Sequence, residues 1–258
     1  TQLFRSVWPM VLGVGLMTVG ALIGGDAQTW FWLAGIGLDI FFTYLLSRNG
    51  GWRVQSAGHW AERYGLVVIL ALGESIVEIG TGVAQEPISA VILLATLLAI
   101  ALSISLWWLY FDIVSIGAEK YLAKLTGVDR TNLATEAYTN MHFLLIAGII
   151  MSALGVEQVL HHIDSAHAFG LFGSAALFGG TSLYLAGHAL FWRRVSGQWL
   201  ASRLVGATVL LALVALGAVL PPLAALAAAS VTVIVVVMVE TIRYAKPRAE
   251  LRAESGAL

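Results

Sequence analysis

Eight apolar runs follow one another through almost the whole chain, each long enough to cross the ~30 Å hydrocarbon core of a bilayer. They are Val7–Ile23, Thr29–Leu46, Glu62–Gly82, Ile88–Asp112, Tyr138–Leu160, Ala168–Phe191, Leu204–Leu220 and Leu223–Ile242. A chain built this way has few options. In lipid every backbone N–H and C=O must be bonded internally, so such runs fold as helices. Composition agrees: 59% of the 258 residues are hydrophobic and 11% are charged, where a soluble domain carries about 25% charged residues. The expected fold class is all-α, a polytopic transmembrane helical bundle of about eight spans. Residues 1–245 are expected to form a single membrane domain and 246–258 a cytoplasmic tail.

The placement of charge orients the bundle. All 14 Lys and Arg residues fall before the first run, in or at the edge of every second connection, or in the tail. Arg5 comes first. Arg48, Arg53 and Arg63 group around the second connection, Lys120, Lys124 and Arg130 around the fourth, and Arg193, Arg194 and Arg203 around the sixth. Arg243, Lys246, Arg248 and Arg252 close the chain. The intervening connections, GGDAQ, VAQEP, HHIDSAH and the Pro221–Pro222 turn, hold no basic residue. The excess of positive charge on cytoplasmic loops then puts both termini in the cytoplasm, and the protein in the cell (inner) membrane as a multi-pass species. Two prolines end one helix and open the next, so Pro221 and Pro222 predict a tight helical hairpin.

Other features narrow the chemistry. With no Cys there are no disulfides and no thiolate metal sites. The basic residues are dispersed over loops, which excludes a nucleic-acid face. No strand-and-Gly-rich phosphate loop is present, and no cofactor is expected. Trp30, Trp32, Trp107, Trp108, Tyr110, Trp192 and Trp199 lie near run ends, where amphipathic rings anchor at a membrane interface. Gly13, Gly20 and Gly24, then Gly173, Gly180 and Gly187, allow helices to approach closely. No cleavable signal is evident, and the chain opens on Thr1 close to its first apolar run, so an N-terminal piece is expected to precede it.

The candidate functional groups are ionisable residues within apolar runs, where they are rare and tied to function. Arg63, Glu74 and Glu78 fall within about 60° of one another on a helical wheel. Glu74 comes near mid-span, four residues from Glu78, so the two carboxylates disfavour simultaneous ionisation. Arg63 lies about 16 Å from Glu74 along the axis and is expected to pair elsewhere, for example with Asp112. Asp39 is the other mid-span acid, either a second wall of a Glu74 cavity or a partner for a polar group on a neighbouring helix. Tyr138 and His142 are four apart in the fifth run, with Glu157 on a similar side further along. His142 is a candidate proton relay or a histidine satisfied by local hydrogen bonds, and His188 is a weaker one. His161, His162, Asp164 and His167 cluster in one connection and form a weak candidate metal site.

HWAERYGLVVILALGES, from His59 to Ser75, resembles the signature of the bacterial low temperature requirement protein A (LtrA) family. LWWLYFD (Leu106–Asp112) and EAYTNMHFLLIAGIIMSALGVE (Glu136–Glu157) resemble that family's next two blocks, in the same order. His59, Glu62, Arg63, Gly65, Gly73, Glu74, Tyr138, His142 and Glu157 match residue by residue, and Tyr64 stands where other residues also occur. The resemblance further implies additional N-terminal helices with an acidic E-L-F-F-D-L-type motif, which this sequence lacks. It ties the chain by name to growth at low temperature and implies no particular activity.

These readings favour a transport or permeation protein in which Glu74, Glu78 and Asp39 form a protonatable carboxylate site, with His142 and Glu157 lining routes to the two surfaces. The expected partners are membrane lipids, protons, cations or a small molecule, and the missing N-terminal helices of the same chain. Two alternatives are an intramembrane enzyme acting on a lipid or isoprenoid, and a non-catalytic structural or sensor protein.

Overall fold

The computed structural model describes residues 2–48, 54–84, 87–163, 168–246 and 248–249, and every described element is helical. Eight helical runs are present, and each carries one of the expected apolar segments. They are α1 (Gln2–Ile23), α2 (Gly25–Arg48), α3 (Ala57–Ala84), α4 (Ala90–Lys124), α5 (Gly127–His161), α6 (170–196), α7 (Ala201–Gly217) and α8 (Pro222–Arg243). Four of them, α3, α4, α5 and α8, are long and apolar enough to cross a membrane. Much of their apolar surface is bare, with Leu70 72% and Ile242 76% exposed. An apolar circumference of this kind is stable in lipid and a liability in water. The protein is therefore an all-α helical membrane bundle.

The chain divides into two compact units: Thr1–Gln55 with Thr126–Thr135, and Ser56–Leu125 with Glu136–Leu258. In the first, α1 and α2 form a hairpin that turns on Gly24 and Gly25, with φ of +69° and +61°. Side chains other than glycine rarely adopt these values. The two helices touch backbone to backbone: a Cβ on Gly13 would stand 3.1 Å from the Gly35 carbonyl oxygen. Trp32 Nε1 donates to the Met17 carbonyl at 3.0 Å.

In the second unit, a buried line along α3 reads Gly65, Val68, Leu72, Ser75, Ile79 and Gly82. Its alternating steps of three and four residues are the 3.5-residue period of a helix seam. Helix α4 starts under a Ser89 cap whose Oγ accepts from Ile92 N at 3.2 Å. Pro222 occupies the first turn of α8, where its missing N–H is harmless.

The closest packing joins α5 to α6. A Cβ on Gly148 would lie 2.6 Å from Tyr184 N, one on Gly180 2.5 Å from Ser152 N, and one on Gly155 2.3 Å from Leu177 N. Both helices contain a π-helical stretch, Ala134–Met141 in α5 and Ala175–Gly179 in α6.

Several hydroxyls in the spans are satisfied locally or across helices, whereas that of Tyr138 is buried without a hydrogen-bond partner among the described residues. Ser75 Oγ donates to the Ala71 carbonyl and Ser103 Oγ to Ala99. Tyr184 Oη donates to the Leu106 carbonyl at 2.6 Å, Ser182 Oγ to Ala207 at 2.8 Å, and Ser230 Oγ to Leu98 at 3.1 Å. These bonds fasten α6 to α4, α6 to α7 and α8 to α4.

Candidate functional site

The polar centre of the second unit is a guanidinium. Arg203, in the first turn of α7, is buried and faces Glu240 near the end of α8. Arg203 Nη2 donates to Glu240 Oε2 at 2.7 Å, and Nε donates to Oε1 at 3.0 Å. Nη2 also donates to the Leu109 carbonyl at 2.9 Å, while Nη1 donates to His188 Nδ1 on α6. Ser202 Oγ donates to Glu240 Oε1 at 2.6 Å. A guanidinium can only donate, so His188 Nδ1 is the acceptor and the ring proton sits on Nε2. That Nε2 is buried without a hydrogen-bond partner among the described residues. Two opposite charges held by this many bonds are a stable arrangement away from water only because each is matched.

His142 lies close by. Tyr110, from α4, stands edge-on to both His188 and His142, at centroid distances of 5.7 and 5.6 Å. Its hydroxyl is 2.8 Å from His142 Nε2, and His142 Nδ1 is 3.4 Å from the Ala137 carbonyl. The carbonyl only accepts, so Nδ1 donates and Tyr110 donates to Nε2. Tyr138 stacks on the imidazole at 5.3 Å with an interplanar angle of 9°, Phe191 meets it edge-on at 4.8 Å, and Tyr64 lies 5.1 Å away. Tyr64 Oη in turn is 2.7 Å from Thr139 Oγ1. His142 is thus enclosed by four aromatic rings, and one of them carries its hydrogen bond.

Two cavities open beside this network. One, of about 400 Å³, reaches Arg203 and Glu240 and is walled by Lys120, Lys124, Tyr121, Trp192, Trp199 and Tyr244. The other, of about 570 Å³, lies along the start of α3, with His59, Glu62, Gly65, Ser115, Phe111 and Glu119 on its walls. Gly58 leaves room there for Glu119, whose Oε1 would be 3.0 Å from a Cβ at that position.

The sequence-predicted residues are distributed as follows. His142 and Tyr138 are buried together, and His59, Glu62 and Gly65 share the larger cavity. Arg63 is exposed, and Gly73 lies open on the outer side of α3. Glu74 is exposed and Glu78 half-buried, about 100° round the helix from the buried line through Ser75 and Ile79. Neither carboxylate has a hydrogen bond or ion pair within the described residues. Asp39 is exposed on α2, in the other unit. Glu157 is half-buried, with Oε1 3.7 Å from His161 Nε2. Asp112 forms an ion pair with Arg248, whose guanidinium also lies over the Trp108 ring at 5.9 Å. His162 Nδ1 is 2.9 Å from the Gln158 carbonyl. Asp164 and His167 lie outside the described residues, and among those described no group of three or more His, Cys, Asp or Glu could hold a metal.

Sequence reasoning missed Arg203 and Glu240. Arg203 reads as one more basic loop residue, yet it stands inside a helix. Glu240 is the lone acid in VTVIVVVMVETIR, the same signal of an ionisable group in an apolar run that singles out Glu74.

The family model described as Bacterial low temperature requirement A protein (LtrA) matches residues 1–238. A stretch of 146 residues is 34% identical to uncharacterized protein RA0937 of Rhizobium meliloti (strain 1021), covering 54% of this chain and 33% of that protein. The chain therefore spans about a third of this curated relative. No solved structure matches the chain.

Proposed function

The chain belongs to the bacterial low temperature requirement A family, and from that premise we propose that it is a multi-pass inner-membrane protein that moves protons or small cations across the bilayer. The observation that carries this reading is the enclosed His142, hydrogen-bonded to Tyr110 within a helical membrane bundle. An imidazole whose Nε2 faces a phenol hydroxyl that also stands against a second histidine is a group that can exchange a proton on that side. Glu74 and Glu78 supply the intramembrane carboxylates, and Asp39 is a third on α2. Glu157 lines the route on the other side of His142. A carboxylate at mid-span costs about 2.5–3.5 kcal/mol when it meets lipid alone, so this reading requires water or further protein at Glu74, which shares its exposed face of α3 with Leu70. Positive charge on alternate connections supports cytoplasmic termini.

The test is flux. The full chain in liposomes should dissipate an imposed pH gradient or accumulate cations, and Glu74→Gln should abolish that activity. Flux equal to that of empty liposomes removes the reading, as does full activity in the variant.

One observation favours a second reading, an intramembrane enzyme acting on a lipid or isoprenoid. The cavity at the start of α3 brings His59, Glu62, Ser115 and Glu119 to one space, a set able to transfer protons. A changed lipid profile in a deletion strain, with no ion flux in liposomes, would favour it.

A further inference from the structure

The smaller cavity is built unlike the rest of the protein. Its walls carry Lys120 and Lys124 from the end of α4, and its floor is the Arg203–Glu240 pair. Glu240 matches the charge of Arg203, and among the described residues of the lining Lys120 and Lys124 are the further basic groups. Four aromatic side chains, Tyr121, Trp192, Trp199 and Tyr244, complete it.

Two details keep the space open. Gly117 faces Trp192, where a Cβ would stand 2.8 Å from Cη2 of the indole, so only glycine lets this ring lie against α4. Tyr121 meets Trp192 edge-on at 6.1 Å, and Lys124 Nζ sits 5.6 Å from the Tyr121 centroid. At about 400 Å³ the cavity has the size of a small-ligand site. Ammonium groups at the rim, a polar floor of fixed charge and indoles at the side suit an anion at the level of a bilayer surface. Basic recesses between membrane helices bind phosphorylated headgroups in this way.

We propose that this cavity binds a phosphate-bearing anion, held by Lys120 and Lys124 above the Arg203–Glu240 floor. Lysine acts as a mobile point charge for phosphate oxygens. The bonds of Arg203 to Glu240, Leu109 and His188 make it a positioning residue that fixes the depth of the site. The proposal does not depend on ion transport.

Two sources present the same chemistry, the headgroup of an anionic lipid and free phosphate, and two arms separate them. In the first, the full chain, stripped of lipid in detergent, is offered phosphatidylglycerol or phosphatidylethanolamine and the retained lipid is counted by native mass spectrometry. In the second, inorganic phosphate is titrated while tryptophan emission is followed. Binding should be selective for phosphatidylglycerol in the first arm, or saturable in the second. The Lys120→Gln/Lys124→Gln double variant should weaken it about thirtyfold. Lys124→Gln alone, at an exposed position that does not threaten folding, should weaken it about fivefold. A response in the lipid arm identifies the headgroup, and one in the phosphate arm alone identifies the free anion. Equal binding by wild type and both variants, or none in either arm, overturns the proposal.

Discussion

Arg203 and Glu240, 37 residues apart in sequence, meet with Nη2 2.7 Å from Oε2 while their side chains keep only 3% and 8% exposure. Removing either partner strands the other charge. Arg203→Met or Glu240→Gln should each lower stability by about 3–5 kcal/mol, and Arg203→Met/Glu240→Leu together should recover most of that loss. Thermal unfolding in detergent, followed by intrinsic fluorescence, measures both. Single variants that melt with the wild type would show that the pair is not a matched burial.

The α5–α6 seam makes a sharper distinction. In Gly155→Ala the new methyl would meet the backbone of Leu177, which cannot rotate away, so a loss of about 1–3 kcal/mol is expected. Gly80→Ala, where nothing lies within 4 Å, should be neutral or slightly stabilising. Equal melting temperatures for the two variants would contradict the close approach.

Tyr110→Phe deletes the donor to His142 Nε2 and leaves that buried nitrogen unmatched, at a cost of about 1–3 kcal/mol. The ¹⁵N shifts of the His142 ring should change at the same time. If they stay as in the wild type, Tyr110 does not set the tautomer.

Tyr184→Phe should be mild by comparison. Its hydroxyl donates to the Leu106 carbonyl across α6 and α4, and interhelical bonds of this kind contribute about 0.6 kcal/mol on average. A melting shift as large as that of Arg203→Met would mean that Tyr184 belongs to the charged network.

The eight helical runs are legible in the sequence because lipid imposes one length on every apolar segment. The Pro221–Pro222 hairpin and the glycine contacts of α1 and α6 are legible for equally local reasons. Which face of a helix turns inward is harder to read. Helix α3 is apolar nearly all round, so hydrophobicity does not mark its inner side, and the carboxylates at Glu74 and Glu78 lie on a line beside the buried one. Small residues mark the right one: Gly65, Ser75 and Gly82 lie on the buried seam. The same rule applied to α8, through Ala225, Ala229 and Ser230, points inward at Glu240. The pairing with Arg203 follows from the hairpin, since an antiparallel turn sets residues equidistant from it at one level, and Arg203 and Glu240 flank Pro221–Pro222 symmetrically. It is missed because Arg203 reads as a loop residue.

The glycine-to-backbone seam has a mechanical consequence. Three contacts spread from Gly148 to Gly155 leave α5 and α6 no room to slide or roll against each other, so the pair travels as a single rod. Any rearrangement that opens a passage must hinge where helices meet through long side chains, so Tyr138 and Phe191 travel with His142 on that rod while Tyr64 and Tyr110 reach it from α3 and α4.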